Sequence, residues 1–174
     1  MQFIDLVAQY QALKTKIDTR IQGVLDHGQY IMGPEVAELE GQLANYVGVK
    51  HAITCANGTD ALTLAMIVLD IKQGDAVFCP TFTFFATAVT IAFQHATPVF
   101  VDSNAATFNL CPVDLERRII KVISEGKLKP KAIVAVDLFG LPADYPAIMA
   151  IAEKYDLKVI EDAAQGFGGE INGQ

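Results

Sequence analysis

The sequence predicts an α/β fold in three layers, α/β/α, with a mostly parallel sheet covered by helices on both faces. Short apolar runs recur at residues 52–55, 76–79, 98–101, 132–136 and 157–160. Helical patterns lie between most of them, at residues 59–69, 84–93, 113–124 and 142–155. Strands that alternate with helices build parallel sheets buried on both sides. The chain has 174 residues, 52% of them hydrophobic and 19% charged. That is enough for one sizeable core, and too apolar for a disordered chain.

Two helices precede the alternation. Over residues 7–25, Leu13, Ile17, Ile21 and Leu25 are spaced along one helical face. In "HGQYIMGPEVAELE", residues 27–40, Pro34 suits the first position of a second helix. Val36, Leu39, Leu43 and Tyr46 then recur at helical spacing, and Gly48 ends the pattern. Residues 76–101 carry no Asp, Glu, Lys or Arg, a length that raises the question of a membrane span. Pro80 and Pro98 near its ends, Gln94-His95 inside it and its threonines divide it into strand, loop, buried helix and strand. "SEGKLKPK", residues 124–131, reads as a polar surface turn.

Charge and cysteine usage exclude several classes. With 13 basic and 20 acidic residues the net charge is -7, and no basic run occurs. A nucleic-acid surface needs clustered Lys and Arg, so no nucleic-acid partner is expected. Cys55, Cys79 and Cys111 are far apart and form no paired framework, which predicts buried, reduced thiols and a cytoplasmic protein. The opening "MQFIDLVAQYQALKTK" has no apolar core of a secretory signal. No His/Asp/Glu cluster has metal-ligand spacing, so no metal is expected.

Polar residues follow each apolar run: Asn57-Gly58-Thr59, residues 81–84, Asp102, Asp137 before "LFG", and Glu161-Asp162 before "AAQ". Ligands of open α/β sheets bind outside the carboxyl ends of the strands, so this edge is the expected site. Taken alone, Asn57 reads first as a routine helix cap, and only second as part of an anion cradle with Gly58 and Thr59. Dinucleotide and P-loop glycine motifs are absent. Asp162 reads as a turn carboxylate or as a partner for a ribose or a protonated ring nitrogen, with Gln165 able to reach the same ligand. Phe82, Phe84 and Phe85 read mainly as core, with one ring available to stack on a planar cofactor.

The ordered set "GQYIMGPEVAELE", "CANGTDAL", "PTFTFFATA", "PVFVD" and "VIEDAAQGFG" resembles the DegT/StrS-like sugar aminotransferases, fold-type-I enzymes that use pyridoxal 5'-phosphate (PLP). The resemblance runs from about Phe3 to the last residue. It implies that Gly58 and Thr59 hold the cofactor phosphate and that Phe84 stacks on the pyridine ring. Asp162 then pairs with the pyridinium nitrogen, and Gln165 contacts the ring hydroxyl. It further implies a homodimer that moves an amine from glutamate to a nucleotide-linked keto-sugar, a UDP-3-keto hexose or hexuronate, for surface polysaccharide such as lipopolysaccharide.

The Schiff-base lysine of that family lies past the EDAAQ motif, beyond Gln174; Lys154 and Lys158 precede the motif and fit a helix end and a strand start. Residues 1–174 are therefore expected to form an N-terminal segment plus an incomplete PLP-binding large domain, without the small C-terminal domain and inactive alone. Asp137 departs from the polar residue that relatives often carry there. Two alternatives stay open: the related PLP-dependent sugar dehydratase, with histidine at the lysine position, and a non-catalytic α/β binding module.

Overall fold

The computed structural model describes residues 4–173 and divides the chain into two compact units, Met1–Thr54 and Cys55–Gln174. The first unit is helical. Helix α1 (Leu6–His27) starts at Asp5, whose side chain accepts from the Ala8 N–H at 2.9 Å, and ends at a left-handed Gly28. Helix α2 (Pro34–Val47) has Pro34 in its first turn, where the missing N–H costs nothing, and ends at a left-handed Gly48. An Arg20–Glu38 ion pair joins the two helices. No residue of either helix is buried, so this unit has no core of its own.

The second unit opens with helix α3 (Gly58–Val68) and strand β1 (Asp75–Pro80), followed by α4 (Phe85–Phe93) and β2 (Thr97–Val101). Helix α5 (Pro112–Glu125) leads to β3 (Lys129–Val136), and after a 3-10 turn (Leu138–Gly140) come α6 (Tyr145–Lys154) and β4 (Lys158–Asp162). The four strands are all parallel, in the order β2-β1-β3-β4. Every residue of β1 is buried, as the centre of a doubly covered sheet requires.

Alternation along the strands sorts the core into two layers. Ala76, Phe78, Ile133 and Ala135 face a cluster with Leu115 and Ile119 of α5 and Ile148 and Ala152 of α6. Val77, Cys79, Ala132 and Val134 face the other way, onto Leu62 and Met66 of α3 and Ala86 and Ile91 of α4. The three-layer α/β/α architecture follows directly. No helix among the described residues is long and apolar enough to cross a membrane, and residues 76–101 resolve into β1, α4 and β2.

Three expectations need correction. Residues 52–55 form no strand. The N–H and hydroxyl of Thr54 both donate to the Glu40 carboxylate, at 2.8 and 2.9 Å, and Ile53 is 84% exposed, so a side chain takes the place of a ladder. Helix α6 starts three residues later than the pattern suggests, because the Asp144 side chain caps it through the Ala147 N–H. Of the three cysteines Cys79 is buried, Cys111 half-buried and Cys55 exposed.

Candidate active site

The strand order reverses between β1 and β3: the chain leaves β1 toward β2 on one side, then returns to β3 and continues to β4 on the other. Crevices at such a point, outside the carboxyl ends of the strands, are where α/β sheets bind ligands. A cleft of about 230 Å³ lies there. Gly58 and Thr59 at the start of α3, Thr83 and Phe84 after β1, and Asp162 and Gln165 at and after the end of β4 line it. Its apolar wall comes from Leu62, Ala86, Val136 and Ala164. The five residues singled out in the sequence, Gly58, Thr59, Phe84, Asp162 and Gln165, thus meet in one cleft.

One end of the cleft is electropositive. Asn57 caps α3 by accepting from the Asp60 N–H at 2.9 Å, and its Nδ2 donates to the Asp60 carboxylate. The cap leaves the N–H groups of Gly58 and Thr59 without a partner among the described residues, at the positive end of a helix dipole. Gly58 is not needed there by the protein itself: a Cβ would meet nothing within 4 Å and its φ is not left-handed. Close approach of a ligand is the remaining reason for a glycine at this spot.

A carboxylate also lines the cleft. Among the described residues, the half-buried Asp162 side chain receives the Ala164 N–H alone, at 3.2 Å on Oδ1. Gln165 is oriented by the Phe139 N–H, which donates to its Oε1 at 2.8 Å; the amide NH2 remains as its free donor. Phe84 caps α4 in extended conformation and is 70% exposed, and the hydroxyls of Thr83 and Thr87 on either side of it in sequence are bonded to each other at 3.0 Å.

The other aromatic residues of this edge are not core. Phe82, Phe108 and Phe139 pack against one another with ring centroids 6.1–6.3 Å apart, and Phe85 is 75% exposed. Phe82 sits in the loop past the end of β1 and Phe85 opens α4, both beyond the carboxyl end of the strand, where the sheet no longer covers them. Sequence reasoning also missed Asn109. It is buried, its Oδ1 accepts from the Leu138 N–H at 3.0 Å, and its Nδ2 donates to the Leu141 carbonyl at 2.8 Å. An asparagine that anchors a distant turn leaves no local signal.

The lining thus offers one ligand a helix N-terminus suited to an anion, an exposed aromatic ring and a carboxylate. The chain is 51% identical over its whole length to 46% of the UDP-2-acetamido-2-deoxy-3-oxo-D-glucuronate aminotransferase of Pseudomonas aeruginosa. It superposes with a TM-score of 0.95 and 51% identity on the crystal structure of a DegT DnrJ EryC1 StrS aminotransferase from Brucella abortus, over 97% of this chain and 45% of that one. NtdA from Bacillus subtilis, solved with bound cofactor PMP, matches 87% of this chain and 33% of its own, with a TM-score of 0.78 and 32% identity. The chain therefore spans about half the length, or less, of the relatives it matches. The match to the family covers residues 11–174: the chain belongs to the DegT/DnrJ/EryC1/StrS aminotransferase family.

Proposed function

We propose that the cleft holds pyridoxal 5'-phosphate and that the protein serves the transamination of a nucleotide-linked keto-sugar. The observation that carries this is the convergence of a bare helix N-terminus, an aromatic ring and a carboxylate in one cleft, contributed by α3, the β1–α4 loop and β4. The donor set fits the group. Gly58 and Thr59 offer backbone N–H groups and a hydroxyl to the phosphate. Phe84 offers a ring face to the pyridine. Asp162 would hold a proton on the pyridine nitrogen, and the free amide of Gln165 would donate to the ring oxygen.

When bound, the cofactor supplies the electron sink through which an amine is exchanged for a carbonyl. The chain's own contribution is to anchor, orient and polarise it. The carboxylate of Asp162 would favour a protonated ring nitrogen, the form in which the ring withdraws electrons best. The apolar wall of Leu62, Ala86 and Val136 keeps water from one side of the site.

The named relatives support a UDP-linked 3-keto hexose or hexuronate as acceptor, and glutamate is the proposed donor. Those names favour transfer over the related dehydration, and family membership disfavours a purely non-catalytic module. Such a protein would act in the cytoplasm, as a homodimer, in surface polysaccharide synthesis, lipopolysaccharide included. The exposed apolar residues of α1, Leu13, Ile21 and Leu25 among them, support association.

The product of the gene carrying this chain is incubated with PLP, glutamate and a UDP-linked 3-keto sugar. Formation of 2-oxoglutarate together with the aminated sugar supports the reading; PLP binding or product formation absent from a folded protein overturns it.

A further inference from the structure

We propose that Asp137 is a positioning residue, a clamp that fixes the turn bearing Asp162, Ala164 and Gln165 against the end of β3. Its importance for the cofactor rests on the reading of the cleft given above; the clamp itself is a matter of geometry. Asp137 follows the last residue of β3 and is 1% exposed. Its backbone N–H donates to the Asp162 carbonyl at 3.1 Å, beside the Val136–Asp162 pair that ends the β3–β4 ladder, and so ties Asp137 to the residue whose carboxylate lines the cleft.

The side chain holds the turn that follows β3. Oδ1 accepts from the Ala143 N–H at 3.0 Å and from the Tyr145 hydroxyl at 2.8 Å. This closes the 3-10 turn into a loop, with Asn109 bonding the same loop from the β2–α5 side. The loop then grips the cleft residues. The Phe139 N–H orients Gln165, and Gly140, at φ +85°, lies so close that a Cβ would come within 3.2 Å of the Gln165 carbonyl.

Contact on the other side is equally tight. A Cβ on Gly166 would stand 2.5 Å from the Asp137 Cβ and 3.0 Å from its Oδ2, so the turn after Asp162 is seated directly on Asp137. Glu161, on β4 and paired with Ala135 of β3, brings a second carboxyl to this end of the ladder. Asp162 and Gln165 are thus located by a buried residue that does not line the cleft. Small errors in placing groups that bind a ligand cost affinity out of proportion to the displacement.

The clamp predicts a specific pattern in amide hydrogen exchange of this chain. Asp137→Ala should raise exchange about tenfold or more in residues 138–143 and 162–166, with β1 and the interior of β3 unchanged, since a buried N–H and hydroxyl lose their acceptor. Asp137→Asn retains an acceptor for Ala143 and Tyr145 and should rescue the pattern. Gly166→Ala breaks no hydrogen bond and should loosen the same turn by steric displacement, as a second test if Asp137→Ala fails to fold.

Titration with pyridoxamine 5'-phosphate is the second readout. Asp137→Ala and Gly166→Ala should raise its Kd about tenfold, while Asp137→Asn stays within about twofold of the parent. Unchanged exchange at residues 162–166 in Asp137→Ala and in Gly166→Ala, or failure of Asp137→Asn to rescue, overturns the clamp. Equal affinity of the parent and Asp137→Ala also overturns it. A parent chain that shows the exchange pattern but binds no pyridoxamine 5'-phosphate keeps the clamp and refutes the cofactor reading instead.

Discussion

The backbone N–H of Phe139 donates to Oε1 of Gln165 at 2.8 Å, across 26 residues of sequence. Phe139 does this from a left-handed backbone, φ +58°, a conformation that disfavours a bulky side chain. The strained residue therefore spends its N–H on fixing which end of the Gln165 amide is free. The free end is the donor.

Substitutions at Gln165 should separate orientation from donation. Gln165→Glu keeps an acceptor for Phe139 but replaces the NH2 with an oxygen, so the turn stays ordered while affinity for pyridoxamine 5'-phosphate falls. Gln165→Ala loses both. Thermal denaturation and ligand titration of the two variants check this: equal affinity in Gln165→Glu and the parent would show that the amide donor is unused.

Gly58 is expected to matter to the ligand and not to the fold. A Cβ there meets open space, and alanine in a first helical turn is at least as favourable as glycine. Gly58→Ala should leave stability unchanged or raise it by a few tenths of a kcal/mol, up to about 1 kcal/mol. It should weaken binding of a phosphate-bearing ligand at the same time. Urea unfolding and calorimetric titration report the two effects separately.

Glu161 predicts a pH dependence of stability with a defined sign. Partial desolvation of this otherwise exposed residue, then the neighbouring Asp137 charge and hydrogen bonding to Asp137, raise its carboxyl above the ordinary 4.5. The folded chain therefore keeps a proton that the unfolded chain has released, and stability from this group falls as pH rises from 4.5 through the folded value. Glu161→Gln keeps a donor toward Asp137 without titrating. The gap between variant and parent urea midpoints should widen in favour of the variant as pH rises, then level off. A gap that is constant or closes with pH contradicts the assignment.

The cysteines should differ in reactivity. Burial pushes the Cys79 thiol up to about 12, and reactivity belongs to the thiolate. Cys55 is exposed two residues ahead of Asn57, to whose carbonyl its thiol donates at 3.2 Å. A neutral-pH thiol reagent should label Cys55 in the native chain and reach Cys79 on unfolding, as mass spectrometry of the labelled peptides will show.

Much of this architecture was legible in residue patterns because each signal was local. The apolar runs of β1 to β4, Pro34 and Gly48 around α2 and the Asn57 cap of α3 all report on neighbours within a few residues. The convergence of Thr59, Phe84 and Asp162 followed from one general rule, that ligands gather at the carboxyl edge of a parallel sheet. What stayed hidden depends on distant partners. Residues 52–55 look like a strand until Glu40 claims Thr54. Phe82 looks like core until the sheet ends beneath it. Asn109 looks like a loop residue and Asp137 like an edge carboxylate or cap, and their burial appears once strands far apart in sequence are brought together.

The central claim is that a cofactor phosphate sits on the N-terminus of α3 with its ring reaching Asp162. Amide NMR shifts during titration with pyridoxamine 5'-phosphate test it most directly. The account predicts saturable one-to-one shifts at Gly58, Thr59, Ala164 and Gln165. It also predicts that Asp162→Asn, which retains an acceptor for the Ala164 N–H, weakens binding by about 1.5–3 kcal/mol through loss of the charged partner. Shifts confined to other surfaces, or an Asp162→Asn variant that binds as tightly as the parent, would contradict it.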